Sequence, residues 1–162
     1  MKGKCMSNAG IQSKHWGIVV AKLRPYNEDD VRGLSWLARD VLGEAWTTVD
    51  CRNQMLKANT VCWGIYREEL MIASTTVHLG NVAARVMNAM VLPEWQRNGY
   101  GTMLLKIIDN TMLTDQRRIM EIYVPDTNLG MQLFLRSRKV RATEVLGNCY
   151  LFRAEKGFTK GE

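Results

Sequence analysis

An α/β fold is predicted for this chain by three features. Apolar runs of strand length recur, amphipathic segments of helical period lie between them, and a glycine loop joins one such run to one such segment. In order they read β-αα-βββ-α-β-α-ββ. Residues 16–23 form the first strand, broken by Pro25-Tyr26. Asn27 or Asp29 then caps a helix in which Val31, Leu34, Ala38, Val41 and Leu42 share one face, and Gly43 stops it. A second short helix spans residues 48–58. Two strands, 60–66 and 70–78, meet at a tight turn around Arg67-Glu68-Glu69, and a third covers 83–91. The helix over 100–113 turns Tyr100, Leu104, Ile107, Ile108 and Thr111 inward. A strand over 119–124 follows, ended by Pro125 and Asp126. Asp126 or Thr127 is the expected cap of a helix over 128–136, and two last strands hinge at Gly147-Asn148.

The stretch richest in chemistry is Val91-Leu92-Pro93-Glu94-Trp95-Gln96-Arg97-Asn98-Gly99-Tyr100-Gly101-Thr102. Two glycines one residue apart let the backbone curl with no Cβ to obstruct a ligand. The helix that starts there aims its unpaired N–H groups and its positive dipole end into the curl, which favours a phosphate. The expectation is an anion cradle, most suited to a pyrophosphate. A dinucleotide fold would need a third glycine and a place after the first strand, and a Walker loop would need Gly-Lys-Ser/Thr. Neither pattern is met.

Gln96-Arg97-Asn98-Gly99-Tyr100-Gly101, after an apolar strand and Val-x-Pro-Glu-aromatic, resembles the acetyl-coenzyme A motif of the GCN5-related N-acetyltransferases (GNAT family). A second patch agrees in order and spacing. The strand Ile119-Met120-Glu121-Ile122-Tyr123-Val124 leads to Asn128, and Thr127-Asn128-Leu129 with Gln132-Leu133-Phe134-Leu135 follows. This patch looks most like the bacterial ribosomal-protein N-terminal alanine acetyltransferase subgroup. Together the two patches cover about residues 82–153.

The resemblance implies a mixed sheet flanked by helices, with acetyl-CoA as cosubstrate. It implies transfer of an acetyl group to a primary amine, more suited to a protein N-terminal α-amine or small amine than to lysine. Main-chain groups of Ala89, Met90 and Val91 would face pantetheine. Arg97, Asn98, Gly99, Tyr100, Gly101 and Thr102 would hold the pyrophosphate, and Asn128 would bond the pantetheine arm. Three positions depart from the family pattern. The subgroup's general-base Glu is Tyr123 here, its acid Tyr is Leu135, and the Gly-Phe that ends the helix is Lys139-Val140. The catalytic candidates are therefore Tyr123, as proton donor or relay, and Glu121, on the same strand face two residues earlier. The final hairpin lacks the subgroup's long substrate loop. A second reading follows: a domain of this fold that binds coenzyme A without turnover, as a sensor or interaction module.

Bulk properties set the frame. The chain has 162 residues, 46% apolar and 23% charged, which suits one soluble domain over residues 16–155 with tails at 1–15 and 156–162. It has no apolar run long enough to span a membrane and no signal-like start, so a cytoplasmic protein is expected. Cys5, Cys51, Cys62 and Cys149 show no metal-ligand spacing, and no metal is expected; free thiols in a reducing compartment are. Cys62 reads as core rather than nucleophile. The net charge of +6 suits an anionic partner such as coenzyme A. The basic clusters at Arg117-Arg118 and around Arg136 to Arg141 read as solvated faces, without the aromatic stripe an RNA surface needs.

Overall fold

The computed structural model describes residues 11–12, 17–44 and 46–160. Its strands are β1 (Ile11–Gln12), β2 (Ile18–Lys22), β3 (Thr60–Arg67), β4 (Leu70–Leu79), β5 (Ala83–Val91), β6 (Ile119–Pro125), β7 (Arg141–Leu146) and β8 (Cys149–Glu155). The helices are α1 (Glu28–Leu42), α2 (Thr48–Leu56), α3 (Tyr100–Leu113) and α4 (Leu129–Ser137). The strands follow the order β1-β2-β3-β4-β5-β6-β8-β7 in one mixed sheet, in which β5 and β6 pair in parallel and β6 and β8 antiparallel. Trp16, expected to open the first strand, lies outside the described residues, as does most of the expected N-terminal tail. Within that tail, Ile11–Gln12 pairs with β2. Among the described residues no helix is long and apolar enough to cross a membrane.

The residues cluster into two compact units. The first holds the chain up to Thr76 together with Asn88–Leu104, and the second holds Val77–Met87 together with the chain from Leu105 on. In the first unit, α1 forms because Asn27 accepts a hydrogen bond from Asp30 N and three acidic residues occupy the first turn, where the helix dipole favours them. Gly43 ends it at φ +70°. Val31, Leu34 and Ala38 are buried as the period predicts, but Leu42, on the same stripe and the last residue of α1, is 42% exposed; Leu37, off that stripe, is buried. Asp30 is buried, and its carboxylate accepts from Arg24 N, Arg24 Nε and the Tyr66 hydroxyl. α2 starts with a capping box between Thr47 and Asp50.

In the second unit, Val86, Ile108, Met112, Met120, Leu135 and Phe152 supply core. The expected cap of α4 is corrected: Asn128 itself caps, its Oδ1 accepting from Met131 N at 3.1 Å. α4 closes in a Schellman motif. Lys139 N donates to the Arg136 carbonyl, Val140 N donates to the Leu135 carbonyl, and Lys139 takes φ +69°. Val140 is fully buried. Lys139-Val140 thus keeps the backbone geometry for which the family pattern uses Gly-Phe.

The expected C-terminal tail is also corrected over residues 156–160. Asp109, fully buried on α3, accepts from Gly157 N, Thr159 N and the Thr159 hydroxyl, which pins this segment in turns.

Candidate functional site

The glycine loop lies in the first unit. Pro93–Trp95 make one turn of 3-10 helix after β5, and residues 96–99 carry the chain into α3. Two residues of this loop take the left-handed region, Arg97 at φ +63° and Gly99 at φ +89°. At Gly99 a Cβ would meet nothing within 4 Å, so the glycine is required by the backbone conformation and not by crowding, and the space over it is open. Side chains stabilise the curl. Gln96 Nε2 donates to the Val91 carbonyl at 3.1 Å, and Asn98 Nδ2 donates to the Gln96 carbonyl at 3.0 Å.

The first i→i−4 bond of α3 runs from Met103 N to the Gly99 carbonyl at 3.0 Å. The N–H groups of Tyr100, Gly101 and Thr102 therefore precede the helical ladder and point out of its N-terminus. The Arg97 side chain is exposed beside them. Tyr100 is buried, its ring edge-on to Trp95 with centroids 6.2 Å apart, and the Arg67 guanidinium covers the Trp95 ring at 4.8 Å. Tyr100 thus anchors the loop through its side chain and offers an anion only its N–H.

The strand end before the loop is held at several points. Leu92 N donates to the Ile72 carbonyl at 2.8 Å, and Thr75 Oγ1 donates to the Asn88 carbonyl at 2.8 Å. Met90 is buried, while Ala89 and Val91 are half-buried. The register of β5 with β6 ends at Val86 and Ile122, and β5 runs on to Val91.

The remaining candidates lie in the second unit. Glu121 is 9% exposed and ion-paired on both sides, to Arg153 Nε at 2.9 Å and to Arg85 Nη2 at 3.6 Å. Arg153 also reaches Glu144 at 3.1 Å. The hydrogen bond to Glu121, and then the nearby Glu121 and Glu144 charges, hold the Arg153 proton more tightly than usual. Tyr123 is 39% exposed, and the Arg85 guanidinium lies over its ring at 5.2 Å. Leu135 is buried hydrocarbon. Arg85 and Arg153 belong to no motif in the sequence. Only the pairing of β5, β6 and β8 puts both opposite Glu121.

Cys51 and Cys62 are buried in the first unit. Burial, and then the Asp50 charge, push the Cys51 thiol up to about 11, and burial pushes Cys62 up as well, so neither is poised as a nucleophile.

No family model and no curated protein sequence matches the chain. Solved structures do match in fold. The ribosomal-protein-S18-alanine N-acetyltransferase of Escherichia coli superposes with a TM-score of 0.73 at 12% identity, over 86% of this chain and 94% of that one. The PaiA N-acetyltransferase of Thermoplasma acidophilum, solved with coenzyme A, gives 0.73 at 14% identity, over 85% and 98%. An aminoglycoside 6′-acetyltransferase type Ii gives 0.74 at 12%, over 84% and 96%. This chain has the fold of the GCN5-related N-acetyltransferases.

Proposed function

We propose that the protein is an acetyl-CoA-dependent N-acetyltransferase acting on a primary amine. The observation that carries this reading is the loop at Gly99, whose left-handed turn frees the N–H groups of Tyr100, Gly101 and Thr102 beneath open space. Amides fixed at a helix N-terminus suit the two phosphates of coenzyme A, with Arg97 adding charge. The main chain of Ala89, Met90 and Val91 supplies donors and acceptors for the pantetheine amides. Asn128 commits its oxygen to the α4 cap, so its contact with pantetheine would run through Nδ2.

When bound, acetyl-CoA supplies the activated acetyl group. The chain's own residues orient it, place the amine and manage one proton, which the amine must lose. Tyr123 is assigned as proton donor or relay: its hydroxyl would give its proton to the departing thiolate and take up the one the amine loses, with Glu121 holding Arg85 over its ring. General-base help contributes around 10²–10⁴-fold. An α-amine is roughly 10–15% neutral at pH 7, whereas a lysine side chain is ~0.04% neutral. With Glu121 held by two arginines, the site therefore suits an α-amine or another amine of low basicity. The fold neighbours include a ribosomal-protein-S18-alanine N-acetyltransferase and an aminoglycoside 6′-acetyltransferase.

Titration calorimetry with coenzyme A, followed by thiol release over an amine panel, tests the reading. Binding by the wild type and its loss in Gly99→Glu are expected. A clear preference for a lysine-only peptide over one with a free N-terminus would overturn the acceptor class, and Tyr123→Phe with full turnover would remove Tyr123. Two observations favour a second reading, coenzyme A binding without turnover: Glu121 is paired to two arginines and Leu135 carries no hydroxyl. Binding with no thiol release across the panel would select it.

A further inference from the structure

A polar cluster in the first unit lies against the strand end that leads into the loop, and neither the fold nor the cofactor motif accounts for it. Gln54, on α2, points its Oε1 at two donors, Thr76 Oγ1 at 3.2 Å and Asn88 Nδ2 at 3.3 Å. The Cys62 thiol lies 3.4 Å from the same Thr76 hydroxyl. Asn88 is the residue immediately before Ala89, and its main-chain carbonyl is fixed separately by Thr75 Oγ1. Residue 88 is therefore gripped twice, by its side chain from α2 and by its backbone from β4.

Stability alone does not call for an asparagine here. Its Oδ1 is buried and has no hydrogen-bond partner among the described residues. A buried acceptor left unmade is destabilising, and an apolar side chain of similar size would remove that cost. Thr76 would still have Gln54 as its acceptor. Polar groups kept at a cost to stability next to a ligand-binding backbone are characteristic of positioning networks.

We propose that Gln54 and Asn88 are positioning residues for the acyl carrier. Gln54 holds the Asn88 amide, and Asn88 sets the direction and depth of the main chain at Ala89, Met90 and Val91, along which the pantetheine arm runs. The inference rests on the coenzyme A reading above, and it adds α2, an element remote in sequence from both motifs, to the cofactor site. No covalent step is involved. The network acts on binding geometry, where errors of about 1 Å are costly.

The test is titration calorimetry of the full chain with two probes, coenzyme A and adenosine 3′,5′-bisphosphate, which carries phosphates but no pantetheine. Thermal unfolding is measured beside it. Asn88→Leu is expected to melt no lower than the wild type, to bind coenzyme A about tenfold more weakly, and to bind the bisphosphate unchanged. Gln54→Leu should reproduce the selective loss. Gln54→Glu, which keeps an oxygen acceptor for both donors, should restore wild-type affinity, and this pair decides the matter if Asn88→Leu does not fold. Unchanged coenzyme A affinity in both leucine variants, or an equal loss for both probes, overturns the proposal while the coenzyme A reading stands. A wild type that binds no coenzyme A removes that reading, and the proposal with it.

Discussion

Glu121 and Arg153 are register partners on β6 and β8, and Arg153 Nε sits 2.9 Å from Glu121 Oε2. Arg85 is the register partner of Glu121 on the other side, on β5. The carboxylate thus separates two guanidiniums across three neighbouring strands. Removing its charge leaves like charges flanking a neutral, mostly buried amide. Glu121→Gln is expected to lose about 1–3 kcal/mol of stability, read as a lower urea midpoint. The loss should shrink when Arg85→Gln is added, because the second change removes one of the stranded cations. A stability equal to wild type in the single variant would show that the pairs contribute nothing.

Lys139 takes the left-handed conformation at the C′ position of α4, where glycine has no Cβ to strain. Both Schellman hydrogen bonds are already made, so substitution need not rebuild them. Lys139→Gly is expected to raise stability by about 1 kcal/mol. Lys139→Ala, which keeps the Cβ, should give no such gain. A melting temperature raised equally by both changes would trace the effect to the lost charge instead of the backbone.

What could be read from the sequence divides along physical lines. β5 and α3 were legible to the residue, because Pro93, Gly99 and the apolar spacing of α3 are local signals. So was the loop that joins them. Periodicity puts Leu42 on the buried stripe but does not tell where the helix ends relative to the core, and Leu42 is exposed. Asp126, Thr127 and Asn128 are all good capping residues, so the sequence alone does not single out Asn128, which holds the α4 cap. The pinned segment at residues 156–160 was invisible, since its partner Asp109 lies about 50 residues away on α3. The Gln54–Asn88 contact was invisible for the same reason, its members being 34 positions apart. Long-range polar pairs leave no periodic trace in a single sequence.

That same Asp109 carries a prediction of its own. Its two oxygens accept three hydrogen bonds from Gly157 and Thr159, and the side chain has no solvent exposure. Asp109→Ala removes every one of these acceptors and leaves the donors unsatisfied. A loss of about 2–4 kcal/mol is expected, together with protease cleavage in the C-terminal segment under native conditions. Asp109→Asn, which keeps an acceptor oxygen, should fall between. If the C-terminal segment of Asp109→Ala resists protease as the wild type does, the latch is not what holds it.

Alkaline stability should follow the buried thiol of Cys51. Burial first, and then the negative charge of Asp50, hold its proton in the native state to about 11, against an ordinary thiol value of 9.0. Above the ordinary value the unfolded chain releases this proton and the native chain does not. The unfolded state then binds fewer protons, so stability falls as pH rises from 9.0 to about 11, while the contribution is fully present below 9.0. Cys62 and Tyr66, both shifted upward chiefly by burial, act in the same direction. Urea midpoints followed across this range should decline in the wild type. In Cys51→Ala they start lower, because a buried side chain is truncated, but decline less steeply. Equal slopes for the two proteins would assign the alkaline loss to groups other than this thiol.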